Sequence, residues 1–95
     1  MPPIVIDREL QSRLTQLSRV RHPGLKHHAT SILRDLQQGR ASSKSTAGDG
    51  HYLKTLTGSY ELHKTGSQLI LTAHHQATRT VFTLGWLGQV NVQIW

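Results

Sequence analysis

The apolar residues of this chain change period near its middle, and that change restricts the folds open to it. Before residue 40 they recur at helical spacing, and after residue 50 they alternate. Leu10, Leu14 and Leu17 fall at i, i+4 and i+7 and form one stripe of a helix. Asp7 stands just before it, where a carboxylate can accept from unpaired backbone N–H groups. Leu25, Ala29, Ile32, Leu33 and Leu36 make a second stripe. Pro23 and Gly24 separate the two, and proline is tolerated in a first helical turn because its missing N–H has no partner there. Gly39 suits the left-handed position just past a helix end. So short a break predicts a helical hairpin, and Ile4-Val5-Ile6 predicts a strand ahead of it.

The second half reads as strands. Tyr52 to Thr57 predicts a strand that bends at Gly58-Ser59 and continues through Tyr60 to Lys64, with a hairpin turn at Gly66. Leu69, Leu71 and Ala73 alternate with Ile70, Thr72 and His74, and the chain turns near Gln76 to Thr78. Thr80 to Trp86 follows, with Phe82, Leu84 and Trp86 on one face, and Val90, Val92 and Ile94 make a last alternating run. Arg40 to Gly50 is small, polar and glycine-containing, and is expected to be a mobile loop. The expected fold is α+β, a single domain over residues 1–95. An N-terminal strand and helical hairpin pack on an antiparallel sheet, in the order β-α-α-β-β-β with an extra C-terminal strand allowed.

Composition bounds the chemistry. The chain has no cysteine, so disulfides, thiolate metal sites and cysteine nucleophiles are excluded. No apolar run reaches bilayer length, the first residues do not read as a secretory signal, and a cytoplasmic location is expected. Eleven Lys and Arg against five Asp and Glu leave a net charge of +6, and seven histidines can add to it. Such a chain is drawn to polyanions, nucleic acid foremost, although an acidic protein fits the charge equally well.

Cleaving RNA without a metal requires a base for the 2′-OH, a cation for the phosphorane and an acid for the leaving oxygen. The sheet half supplies histidine, lysine, arginine and tyrosine for these roles. His63 and either His74 or His75 are the candidate proton carriers; the adjacent pair should face opposite sides of a strand. Lys54 and Arg79 are the candidate phosphate contacts, with Arg40, Lys44, Tyr60 and Lys64 as further RNA contacts. Trp86 and Trp95 could stack on bases, yet a core position suits Trp86 and a partner-docking role suits Trp95. The helix arginines Arg8, Arg13, Arg19, Arg21 and Arg34 read as a solvated face. Neither His27-His28 nor His74-His75 has chelating spacing within a regular element, and no metal or cofactor is expected.

Ile4-Val5-Ile6-Asp7 with its following leucine helix, and above all Leu53-Lys54-Thr55-Leu56-Thr57-Gly58-Ser59-Tyr60-Glu61-Leu62, resemble the RelE/ParE toxin superfamily. That resemblance implies a ribonuclease-like fold, cleavage of messenger RNA (often on the ribosome) or, in some branches, poisoning of DNA gyrase. It also implies a small acidic antitoxin as partner, within a toxin–antitoxin hetero-oligomer or beside a homodimer. The chain departs from the family pattern at Glu61, His63, Gln68 and Leu69, where the cleaving branch carries arginines. It departs again at Gly85-Trp86-Leu87-Gly88, where many members have Gly-His-Arg and an aromatic residue. A metal-independent endoribonuclease is therefore expected to work through histidine here. A noncatalytic nucleic-acid binder and a protein-directed toxin of the same fold stand as alternatives.

Overall fold

Asp7 does what its position in the sequence suggests. Its carboxylate accepts from the backbone N–H of Glu9 at 2.9 Å and of Leu10 at 3.2 Å, and helix α1 runs from Arg8 to Ser18. A computed structural model of the chain describes residues 7–46, 48–56 and 58–95. The strand expected at Ile4-Val5-Ile6 lies outside the described residues. The chain divides into two compact units, Met1–Ser42 and Ser43–Trp95.

In the first unit α1 contacts α2, Pro23–Gln37. His22 caps α2: its Nδ1 accepts from the backbone N–H of Leu25 at 3.2 Å, which fixes the ring proton on Nε2. Gly39, at φ 73°, closes the other end. Its N–H donates to the Leu36 carbonyl at 3.2 Å, and that of Arg40 to the Asp35 carbonyl at 2.8 Å, the paired bonds of a Schellman ending. Leu10, Leu14, Leu17, Leu25, Ala29, Ile32 and Leu36 are buried and Leu33 is half-buried, so both stripes face inward. One arginine departs from the expected solvated face. Arg13 is buried and pairs with Glu9 one helical turn away, while Arg8, Arg19, Arg21 and Arg34 are exposed. No helix among the described residues is long and apolar enough to cross a membrane.

The second unit is a six-stranded antiparallel meander in chain order. Its strands are β1 (Ser42–Thr46, beginning at the last residue of the first unit), β2 (Gly50–Lys54), β3 (Ser59–Thr65), β4 (Gln68–His75), β5 (Thr78–Leu84) and β6 (Val90–Ile94). Alternation sorts the side chains. Leu53 of β2, Tyr60 and Leu62 of β3, Leu69, Leu71 and Ala73 of β4, and Phe82 and Leu84 of β5 are buried on one face. Burying a leucine fully contributes about 1.5–3 kcal/mol, so this face dominates the sheet's stability. His51 shares its parity and is buried with it.

Three expectations need correction. Residues 40–50 are not all loop: Ser42–Thr46 is an edge strand, with every residue exposed. Backbone pairing to β2 holds it, so it carries no apolar alternation to betray it. The bend expected at Gly58-Ser59 is a full reversal, and β2 and β3 are antiparallel neighbours. The Thr55 N–H and Oγ1 both donate to the Gly58 carbonyl, at 2.9 and 3.1 Å, and close the loop. Third, β5 ends at Leu84, so Trp86 does not continue its inner face. The Gly85 N–H donates to the Gln89 carbonyl at 2.9 Å and the Gly88 N–H to the Gly85 carbonyl at 3.0 Å, which leaves Trp86 at the loop tip, 73% exposed.

Candidate active site on the open sheet face

The face opposite the sheet's core carries Tyr52, Lys54, Glu61, His63, His74 and Arg79. Its make-up follows from register. Cα partners across the ladder run Lys54–Ser59–His74–Arg79, and Trp95, the residue after β6, extends the row. The Arg79 N–H donates to the Trp95 carbonyl at 3.2 Å, and the Trp95 N–H to the Arg79 carbonyl at 2.8 Å. One step along, Tyr52, Glu61, Thr72 and Val81 form a second row, and Gly50, His63, Ile70 and Thr83 a third. Directly paired residues of an antiparallel ladder lie on the same face. Lys54, Glu61, His63, His74, Arg79 and Trp95 therefore share one surface.

Glu61 is its centre. The Oε2 atom lies 3.8 Å from His63 Nε2 and 3.9 Å from His74 Nε2, ion-pair distance for either ring once protonated. All three side chains are partly exposed. His74 Nε2 itself is shielded from solvent and has no hydrogen-bond partner.

Gly50 positions His63. A Cβ at Gly50 would stand 2.5 Å from His63 Nδ1, 2.7 Å from His63 Cε1 and 2.6 Å from Thr46 Oγ1. Only a residue without a side chain lets the imidazole lie across β2. Gly58 has a similar relation to β4, where an added Cβ would stand 2.9 Å from the His74 carbonyl oxygen.

The sequence-based candidates divide accordingly. His63, His74, Lys54 and Arg79 come together on the open face. His75 alternates with His74, pairs with Thr78 and belongs to the opposite parity, so the two adjacent histidines do not serve one site. Tyr60 is 8% exposed on the core face, out of reach of a ligand on the open one. Lys64 shares the parity of Tyr60 and is exposed, its N–H donating to the Asp49 carbonyl at 3.2 Å. Lys44 is exposed on the edge strand β1, and Arg40 is exposed just beyond α2. Sequence reasoning left out Glu61 as a site residue. The signal for it is its spacing of two from His63 within a strand, which fixes a common face.

At one end of the Lys54–Arg79 row, His74, Gln76, Ala77, Thr78, Arg79 and Trp95 line a shallow cavity of about 350 Å³. No group of three or more His, Asp or Glu side chains among the described residues is arranged to hold a metal ion. In the first unit, burial and then the neighbouring His27 charge hold the His28 imidazole below its ordinary value of 6.5.

No family model, no curated protein and no solved structure matches the chain.

Proposed function

We propose that this chain is a metal-independent endoribonuclease of the toxin type, acting in the cytoplasm on messenger RNA, with the ribosome as a setting for its substrate. The observation that carries the reading is the Glu61 carboxylate, within 4 Å of two imidazoles on a sheet face that also bears Lys54 and Arg79.

Transesterification of RNA consumes one neutral and one protonated group. The neutral imidazole takes the 2′-OH proton as O2′ attacks phosphorus. The protonated imidazole gives its proton to the departing 5′ oxygen, leaving a 2′,3′-cyclic phosphate and a 5′-hydroxyl. His63 and His74 fill these roles, and microscopic reversal exchanges them. Glu61 touches both rings and stabilises whichever is cationic, as a carboxylate beside a catalytic imidazole does. Lys54 and Arg79 neutralise the charge that builds on the phosphorane oxygens. The net charge of +6 supports a polyanionic substrate, and an acidic antitoxin meets the same surface charge.

Induced expression tests the reading. The wild-type chain should arrest growth and shorten cellular mRNA on a gel. The Glu61→Gln variant should do so at least about tenfold more slowly. Normal growth with intact RNA would remove the enzyme reading and favour a noncatalytic binder.

A further inference from the structure

The cavity at the β4–β5 turn shares His74 and Arg79 with the proposed acid–base site, while Gln76, Thr78 and Trp95 in its lining have no part in that chemistry. Those three have the makings of a base subsite. We propose that the cavity binds a single nucleotide unit, with the base stacked on Trp95 and the phosphate held by Arg79.

The argument rests on what lines it. Trp95 offers an indole that is 67% exposed, and two backbone hydrogen bonds to Arg79 fix its position in the ladder. A flat, sequence-tolerant apolar platform of this kind suits the π-face of any nucleobase. Arg79, its direct cross-strand partner, supplies a planar guanidinium that matches phosphate oxygens. Gln76 and Thr78 add an amide and a hydroxyl, which can both donate and accept along a base edge.

Gln76 sits at φ 53°, the left-handed conformation that the two-residue hairpin turn between β4 and β5 calls for, and this turn forms one wall of the cavity. The cavity of about 350 Å³ falls at the small end of the range for small-molecule sites, about 300–1,000 Å³. That size suits one nucleotide. A site for phosphate alone would need the guanidinium and not the ring.

His74 lines the cavity and also faces Glu61, so a nucleotide bound there is adjacent to the scissile position. The inference thus assigns a substrate subsite to the ribonuclease reading and rests on it, and the test separates the two. Trp86→Phe leaves Trp95 as the sole tryptophan and alters only an exposed loop tip. This protein is titrated with each of the four nucleoside 3′-monophosphates, and with ribose 5-phosphate as a control without a base, while tryptophan emission is followed.

At least one nucleotide should quench Trp95 saturably. Ribose 5-phosphate should bind more weakly by about fivefold to a hundredfold, the share that stacking contributes. Adding Arg79→Gln should weaken nucleotide binding about tenfold. Quenching that persists in a protein unable to cut RNA would support this inference and sink only the enzyme reading. An absence of saturable quenching, or equal affinity for ribose 5-phosphate, would overturn the inference even if RNA is cleaved.

Discussion

Replacing Gly50 by alanine sets two opposed effects against each other, and the structure decides between them. The backbone at Gly50 is not left-handed, so alanine is tolerated there conformationally. On unfolded-state entropy alone the change should stabilise by about 0.4–1 kcal/mol. The added methyl, however, would stand 2.5 Å from His63 Nδ1 and 2.6 Å from Thr46 Oγ1. Heavy-atom contacts of this kind prefer about 3.5 Å, so the imidazole must move by about 1 Å. Overpacking of this degree costs about 1–3 kcal/mol.

The net result is a loss of about 1 kcal/mol, or about 4–8 °C in Tm for a chain of this size. A displacement of about 1 Å at a catalytic group can cost about a hundredfold in rate. Thermal unfolding, the His63 ring resonances and RNA cleavage report the three effects separately. In a His63→Ala background the same Gly50→Ala change should destabilise less, since the ring is gone. A variant that melts higher than wild type with unmoved His63 resonances would refute the reasoning.

Three further outcomes follow from other parts of the molecule. The unfolded chain protonates His28 more readily than the folded one, because burial and His27 lower the folded value from 6.5. This contribution to stability is complete above pH 6.5 and is lost as pH falls through the lowered value; His28→Gln should flatten that part of a denaturation-midpoint profile. His22→Ala removes the cap of α2 and should cost about 0.5–2 kcal/mol in a denaturant melt, whereas His22→Asn should largely restore it. RNA affinity should fall steeply as salt rises, since phosphate neutralisation is its main source, and a flat salt profile in a filter-binding series would contradict the polyanion reading.

Where the sequence carries a period or a steric demand, the fold can be read from it. The Asp7 cap, both leucine stripes, the Gly39 ending and the Gly66 hairpin are local features, and all take the expected form. Strand β1 lacks such a signal: Ser42–Thr46 is polar throughout and buries nothing. Leu56 and Trp86 misled in the opposite direction. Leu56 falls within the strand expected from Tyr52 to Thr57 and Trp86 extends the alternation of Phe82 and Leu84, yet each stands in a loop and is largely exposed.

The candidate site divides along the same line. The common face of Glu61 and His63 and the opposed faces of His74 and His75 follow from strand alternation alone. The row from Lys54 through His74 and Arg79 to Trp95 depends on register between successive strands, which the turns between them set. A one-residue slip would turn those side chains to the other face. The sequence predicts a bend at Gly58-Ser59 where the chain reverses, so the pairing of Lys54 with Ser59 is not legible in it.

The adjacent histidines provide the most direct test, because they differ in little except the face they occupy. Purified wild-type protein and the His63→Ala, His74→Ala and His75→Ala variants are compared in EDTA on a single-stranded RNA and on translating ribosomes, with cleavage rates and end groups measured. The wild type should cut and leave a 2′,3′-cyclic phosphate. His63→Ala and His74→Ala should each be slower by about a hundredfold or more, and His75→Ala should cut at close to the wild-type rate. Loss of activity in His75→Ala with retention in His74→Ala, or activity that EDTA abolishes, would contradict the site.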